Sequence, residues 1–361
     1  MLLSDIILQS SRAAILFQLK NGSFPPGYNG PYHDPETPVR NTAHWLITML
    51  KAFEISNDSW FKDSAWSAAE YLLSPSVRPM GATFLCRKNP EKDFCNGLIG
   101  QAWVIEALAI AGVKLEDSKY MELARNIFTM HPFDHEVGLW RRVNVDGSYN
   151  SFDMTFNHQL WFAAAGSLVG GSSINSMIIR FLNCAFESHL KVDRTGRIIH
   201  GISKQSTTLN RIVEMNSVLQ RIISSHKRNK QMTYKEIGYH AFNMYAFSML
   251  KQYIPEHPLW QSNKFLSTLN FMNKAEFISG LENNVYGYSY NLSGFEVAFT
   301  IQEFHSLLSY LKSEEWWVEQ QLARCYNMDE KMMNRFTEDK ETHAARLYEA
   351  TRLKDMEVNI T

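Results

Sequence analysis

Several large classes are excluded by what the sequence lacks. It has only 4 cysteines in 361 residues. Cys86, Cys95, Cys184 and Cys325 are widely spaced, form no CxxC pair and are too sparse for a disulfide framework, so reduced thiols are expected. Neither sign of charge prevails: 36 Lys and Arg face 37 Asp and Glu, a formal net charge of -1. Such a balance gives no field to draw in nucleic acid or an acidic membrane surface. The one basic run, His226-Lys227-Arg228-Asn229-Lys230, lies in polar surroundings and reads as a solvated loop. No uninterrupted apolar run reaches the length of a membrane span, so no integral membrane segment is expected. The opening stretch, MLLSDIILQSSRAAILFQ, breaks its apolar residues with Ser, Asp and Gln and has no basic start, unlike a secretory signal. The expectation is a cytoplasmic protein without a nucleic acid partner. Hydrophobic residues make up 45% and aromatics 13%, ample for a large packed interior.

What is present is a repeat in the starts of helix-like segments. Three open on a small or polar residue and soon reach a large aromatic: Asn41-Thr42-Ala43-His44-Trp45, Asn96-Gly97-Leu98-Ile99-Gly100-Gln101-Ala102-Trp103 and Asn157-His158-Gln159-Leu160-Trp161. Weaker echoes are Tyr239-His240-Ala241-Phe242-Asn243, Ser293-Gly294-Phe295-Glu296 and Thr342-His343-Ala344-Ala345-Arg346. Successive starts lie 49 to 61 residues apart, except for one step of 82, a period that fits two helices with their turns. The long step holds an extra segment at about 190-235, including the turn-like Val192-Asp193-Arg194-Thr195-Gly196-Arg197. Between the starts, the stretches at about 3-19, 58-73, 116-130, 173-190, 258-274 and 313-328 are amphipathic at helical spacing. The segments at the starts are apolar on most faces, as inner helices covered on both sides would be. Six of each kind predict an all-α fold, a closed (α/α)6 toroid of six helical hairpins forming one domain over 1-361 with an insertion at 190-235. Closure removes the need for polar end caps; an open superhelix is the alternative.

In such a ring the first turns of the inner helices and the loops leading into them converge on one mouth, which is the expected site. The loop at 21-41 is too rich in Pro and Gly for a helix and brings His33, Asp34, Glu36 and Arg40 close to His44. A structural Glu36-Arg40 pair and a core His44 are the competing reading. Gln101 stands at the second start; Asn157, His158 and Trp161 stand at the third, and taken alone Trp161 reads more readily as a core aromatic than as a stacking platform. Glu236 and His240 mark the fourth. Ahead of the fifth, Tyr286-Gly287-Tyr288-Ser289-Tyr290-Asn291 alternates aromatic and polar groups, which suits the C-H faces and hydroxyls of a sugar. At the last start, His343 precedes Arg346, whose guanidinium fits a sugar carboxylate or else a salt bridge with Glu349 or Asp339.

The catalytic candidates are therefore His44, His158, His240, Asp34 and Glu236. The substrate-binding candidates are His33, Arg40, Gln101, Asn157, Trp161, Tyr288, Tyr290, His343 and Arg346. Two histidines across a cavity form a base and acid for moving a proton on and off a sugar carbon. Two carboxylates from the set Asp34, Asp153, Glu236 and Glu296 would instead support hydrolysis.

The six-start pattern resembles the (α/α)6 toroids of carbohydrate enzymes, among them unsaturated glucuronyl hydrolases and sugar epimerases. More narrowly, Tyr32-His33-Asp34-Pro35-Glu36-Thr37-Pro38-Val39-Arg40-Asn41-Thr42-Ala43-His44-Trp45, with Asn96 to Trp103 and His343-Ala344-Ala345-Arg346-Leu347-Tyr348, is similar to the AglQ-type proteins of glycan-assembly clusters. That resemblance implies processing of a hexuronic acid or related sugar in glycan biosynthesis, by a proton-transfer epimerase or isomerase. A glycoside hydrolase or lyase, and a non-catalytic glycan-binding protein, are the alternatives. Cys95-Asn96-Gly97 resembles the Cys-His-Gly element of lanthionine synthetases, but Asn96 replaces the histidine and no second zinc cysteine follows, so no metal and no cofactor are expected. Terpene cyclases and prenyltransferases would bring aspartate-rich motifs, and the sequence has none.

Overall fold

The computed structural model describes residues 1-202 and 218-360, the side chains of 218-229 excepted. The chain runs in hairpins: α1 (Leu3–Ile15) with α2 (Val39–Ser56), α3 (Ser59–Leu73) with α4 (Gly97–Lys114), α5 (Ser118–Met130) with α6 (Phe156–Val169), and α7 (Ser172–Cys184) with α8 (Val218–Tyr253). Next come α9 (Asn263–Phe271), the short α10 (Ala275–Gly280) and α11 (Ser293–Phe304), then α12 (Glu314–Cys325) with α13 (Lys340–Ala345), which continues into a tight helical turn, Arg346–Arg352.

Periodicity sorts these into two layers. The α5 helix buries Tyr120, Leu123, Ala124, Ile127 and Phe128 and leaves its other faces to solvent, the single stripe of an outer helix. The α4 helix buries every residue from Gly97 to Ala109, because it has neighbours all round. Its length and composition would suit a membrane span, but 78% of it lies inside the protein, where packing accounts for its apolarity. Inner helices pack in order, α2 on α4, α4 on α6, α6 on α8 and α8 on α11. The 346-352 turn then packs on both α11 and α2, so the ring closes. The two ends of the chain lock beside that seam: Leu3 N–H donates to Met356 at 3.0 Å, and Val358 N–H to Met1 at 2.9 Å. The fold is the all-α (α/α)6 toroid.

Four outer and four inner helices begin differently, while the inner α13 is capped in the outer manner, Asp339 accepting from Thr342 N–H. Side chains of Asp58, Asp117, Ser262 and Ser313 cap α3, α5, α9 and α12 by accepting from backbone N–H groups two or three residues on, the ordinary way to satisfy a first turn. No side chain at the cap position does this for α2, α4, α6 or α11. In α4 the task falls to carboxylates from farther off: Gly97 N–H donates to Asp93 at 2.8 Å and Leu98 N–H to Asp153 at 3.2 Å. The first turns of the inner layer are thereby tied to the loops that shape the mouth.

The structure departs from expectation in the third and fourth repeats. Before α6 stands a small antiparallel sheet, β1 (Phe133–Asp134), β2 (Leu139–Val143) and β3 (Tyr149–Phe152), in sequential order. A two-stranded pair, β4 (Tyr326–Asn327) with β5 (Met332–Met333), follows α12. The fourth start is no helix start: α8 begins at Val218 and passes through Tyr239 without a break. The basic run 226-230, expected as loop, belongs to this helix, and the side chains of its first four residues lie outside the described set. The turn at 192-197 is present, with Asp193 accepting from Thr195 N–H at 2.8 Å. Beyond it the chain runs extended and pairs with the entry to α6, Phe156 N–H donating to His200 at 2.9 Å and Ile202 N–H to Met154 at 2.9 Å.

Candidate functional site

The loops and first turns of the inner layer open on a cavity of about 220 Å³. Each hairpin contributes to its lining. Asn29, Tyr32 and Asp34 come from the loop before α2; Arg87, Lys92, Asn96, Ile99 and Trp103 come from α4 and the loop before it. Thr155, Asn157 and His158 open α6, His200 rides on the extended segment paired to it, and Lys235, Tyr239 and Phe242 face in from α8. Tyr290 and Asn291 precede α11, and Arg346 comes from the closing turn.

His158 sits in the first turn of α6 with its Nδ1 2.8 Å from Asp153 Oδ2. Burial acts to raise the Asp153 carboxyl, but His158 and the N–H groups of Leu98 and Thr155 outweigh it and hold the group below the usual carboxylate range. An ionised Asp153 keeps a proton on His158 Nδ1, so a neutral ring carries its free lone pair on Nε2. Only glycine fits beside this pair: Gly97 has φ +58°, and a Cβ there would stand 2.6 Å from Asp153 Oδ2 and 3.2 Å from His158 Nδ1.

His200 is the second histidine on the cavity. Its ring meets the edge of Tyr239 at 5.3 Å, and its buried Nδ1 has no hydrogen-bond partner among the described residues. Burial first, then the charges of Lys235 and His158, push its pKa down to about 3, which leaves it neutral near pH 7. Asn157 is also buried and lining, with its Oδ1 unpartnered. Three tyrosine hydroxyls are already engaged, those of Tyr32 and Tyr239 with each other at 2.8 Å and that of Tyr290 with Asn29 at 2.7 Å.

Most of the lining cations have partners. Lys92 lies 2.5 Å from Asp34. Arg87 pairs with Asp93 at 2.9 Å and stands 3.7 Å from Asp34. Arg346 holds Glu349 at 2.6 Å, Asn291 at 2.7 Å and Glu296 at 3.0 Å. Among the described residues Asp34 is the only carboxylate in the lining; Lys92, Asn89 and Arg87 keep its carboxyl low against the opposing effect of burial.

Two solved structures share this architecture. Cellobiose 2-epimerase from Spirochaeta thermophila superposes with a TM-score of 0.65 at 13% identity, over 97% of this chain and 96% of that one. D-mannose isomerase gives 0.64 at 11% identity, over 97% and 95%. No protein-family profile matches the chain. Archaeal glycosylation protein Q of Haloferax volcanii is 40% identical over 99% of this chain and 98% of its own length. The chain belongs to the archaeal glycosylation protein Q family.

In this member of the family, Asp34, Asn157, His158, Tyr290 and Arg346 of the expected site residues line the cavity. The others do not, for reasons visible in their contacts. His240 is wholly buried, its Nε2 3.0 Å from the Thr268 carbonyl oxygen and its Nδ1 accepting from Ile198 N–H at 3.4 Å. His343 likewise bridges two carbonyls, Met333 at 2.7 Å and Tyr288 at 2.8 Å. Gln101 bonds both backbone groups of Phe84 and the carbonyl of Cys95. These three pin loops to inner helices.

His44 stacks on Tyr348 at 4.2 Å, with burial and the charges of Arg40 and Arg346 holding it neutral. Arg40 is buried against Glu36 at 3.3 Å, with its guanidinium 4.0 Å from the Trp103 ring. Trp161 stacks on Phe242 at 4.5 Å in the core. Glu236 accepts from Arg197 and from His200 N–H, both at 3.2 Å, and so holds the backbone that carries His200. His33 is exposed beside Glu338, and Tyr288 lies under Arg324. The Arg346 guanidinium makes the salt bridge with Glu349 that was weighed against a ligand carboxylate.

Sequence reasoning missed Lys235, His200, Arg87 and Lys92. Lys235 was within reach, since it stands one helical turn before Tyr239 on the same face. His200 carried no sequence signal, because a strand-like pairing of its neighbour Gly201 with Thr155, distant in the repeat pattern, brings it in.

Proposed function

We propose that this protein is a sugar epimerase or isomerase that moves a proton on a hexuronic acid or related sugar during glycan assembly. The observation that carries the reading is the presence of two histidines, His158 and His200, on one cavity, the first oriented by an ionised Asp153. His158 Nε2 takes the proton from a carbon next to a carbonyl or carboxyl group, and the electron pair shifts onto that group's oxygen. The neutral imidazole of His200, on the same cavity, donates its N–H to that oxygen, and the His158 imidazolium returns the proton to that carbon or its neighbour. Asp153 keeps its own charge throughout and stabilises the His158 imidazolium that forms. Asn157 Oδ1 accepts from a sugar hydroxyl, and the Trp103 and Tyr290 rings offer faces to the sugar's C-H groups.

Family membership and the epimerase and isomerase architectures support this reading. Hydrolysis by a pair of carboxylates has less support, because Asp34 has no second lining carboxylate among the described residues at the separation such chemistry uses. The test is to incubate the protein in deuterated water with free and oligosaccharide-linked uronic acids and follow ring carbons by NMR. Deuterium at a ring carbon is the expected result. Release of reducing ends without exchange would make the protein a hydrolase, and binding with neither signal would make it a glycan-binding protein.

A further inference from the structure

The cations around the cavity differ in one respect. Arg87, Lys92 and Arg346 each have a carboxylate within 4.0 Å, so their charge is already answered inside the protein. Lys235 has no carboxylate at that distance among the described residues. Its ammonium instead stands over the rings of Tyr32 at 5.1 Å, Tyr239 at 5.6 Å and Tyr286 at 5.8 Å. Two of those tyrosines have turned their hydroxyls on each other.

Ring faces compensate a desolvated cation only in part, and taking a charge out of water without an opposite charge costs more than they return. A half-buried ammonium kept in that state, on the wall of the one cavity shared by both histidines, is matched by a ligand that brings its own anion.

We infer that Lys235 is the specificity-determining residue of the site, binding the carboxylate of the sugar and so selecting acidic sugars over neutral ones. This rests on the proton-transfer reading for its place in a reaction, though not for the binding itself. The geometry also links recognition to chemistry. His200 stands near both Lys235 and His158, so a carboxylate held at Lys235 brings the neighbouring sugar carbons towards the two rings. Neutralising Lys235 also removes one of the charges that oppose protonation of His200.

The binding claim is tested by calorimetry of the full-length protein with D-glucuronate, D-galacturonate and D-glucose, comparing wild type with Lys235→Met and Lys235→Arg. Methionine keeps the stem between the rings and removes the charge; arginine keeps the charge. The expected result is tighter binding of a uronate than of glucose in wild type, a loss of 10-fold or more for that uronate in Lys235→Met, unchanged glucose binding, and recovery in Lys235→Arg. Where turnover is measurable, the loss appears in KM more than in kcat. Equal uronate binding by wild type and Lys235→Met overturns the assignment, as does failure of wild type to prefer either uronate to glucose. Charge-dependent uronate binding without ring-carbon exchange would uphold Lys235 and remove the isomerase reading, so the two claims fail separately.

Discussion

Asp153 lies behind His158 rather than on the cavity wall, so its part is to hold the ring and its charge, not to meet the sugar. Replacing His158 with Ala removes the proton-transfer group and is expected to lower turnover by roughly 10²- to 10⁴-fold. Asp153→Asn keeps the shape but lets the ring turn to the wrong tautomer, and a loss of up to about 10⁴-fold in kcat with little change in KM is expected. Steady-state kinetics on the exchanging uronate checks both. The opposite pattern is expected at His240, whose two ring nitrogens serve backbone groups. His240→Ala opens a cavity and strips a buried carbonyl of its donor, at a cost of about 2–4 kcal/mol. Urea unfolding should show that loss, while the rate per folded molecule stays near wild type; a rate collapse in folded protein would make His240 catalytic after all.

Among the elements, α4 shows most clearly how the fold serves the site. Its first residue, Gly97, takes a left-handed φ that side chains resist, and its missing Cβ leaves room for Asp153. Gly97→Ala combines backbone strain of about 1–2 kcal/mol with a displaced carboxylate. It should therefore lower the melting temperature and the exchange rate together, whereas a variant that melts early but exchanges normally would separate Gly97 from the site.

The same helix shows why much of the fold was legible. Apolarity on most faces of α4 and a single stripe in α5 are local signals, and they sort inner from outer layers without knowledge of any contact. The positions of His44 and His343 near the starts of α2 and α13 were legible too, and His240 was placed on an inner helix although no helix starts there, but not the direction in which each ring would point. Position along a helix does not say whether a polar side chain turns to the cavity or back onto a neighbouring loop's carbonyls. Arg346 was legible as a cation near the mouth, and its partner Glu349, at a spacing of three, was legible with it. The charge of Lys235 stood out from no pattern, because its meaning depends on no carboxylate of the described residues reaching it from the other segments.

Taken whole, the ring buries several histidines in the neutral form, and its stability should depend on pH accordingly. Burial is the main cause that holds His131 and His240 at about 4 and His200 at about 3, against about 6.5 in an unfolded chain. Above pH 6.5 neither state is protonated at these sites. As the pH falls from 6.5 towards 4 the unfolded chain takes up protons that the fold excludes, and each site withdraws up to about 1.4 kcal/mol per pH unit. Glu36, which burial raises to about 7 against the pull of Arg40, works the other way as the pH falls, as do the raised carboxyls of Glu106, Glu296 and Glu349, so the histidine part is read by difference. From pH 6 to 4.5 wild type is expected to lose more melting temperature than His131→Gln, and equal losses in the two proteins would contradict the exclusion of protons from the buried His131 ring.

The central claim, that His158 moves a proton on a sugar whose developing oxyanion His200 steadies across one cavity, is tested most directly by the initial interconversion of a uronate in deuterated water. Wild type, His158→Asn and His200→Asn are compared by the ring-carbon NMR signals. The account predicts deuterium in the product of wild type from the first turnovers, and loss of net interconversion in each single variant although uronate binding persists. Interconversion near the wild-type rate in folded His158→Asn or His200→Asn would contradict it.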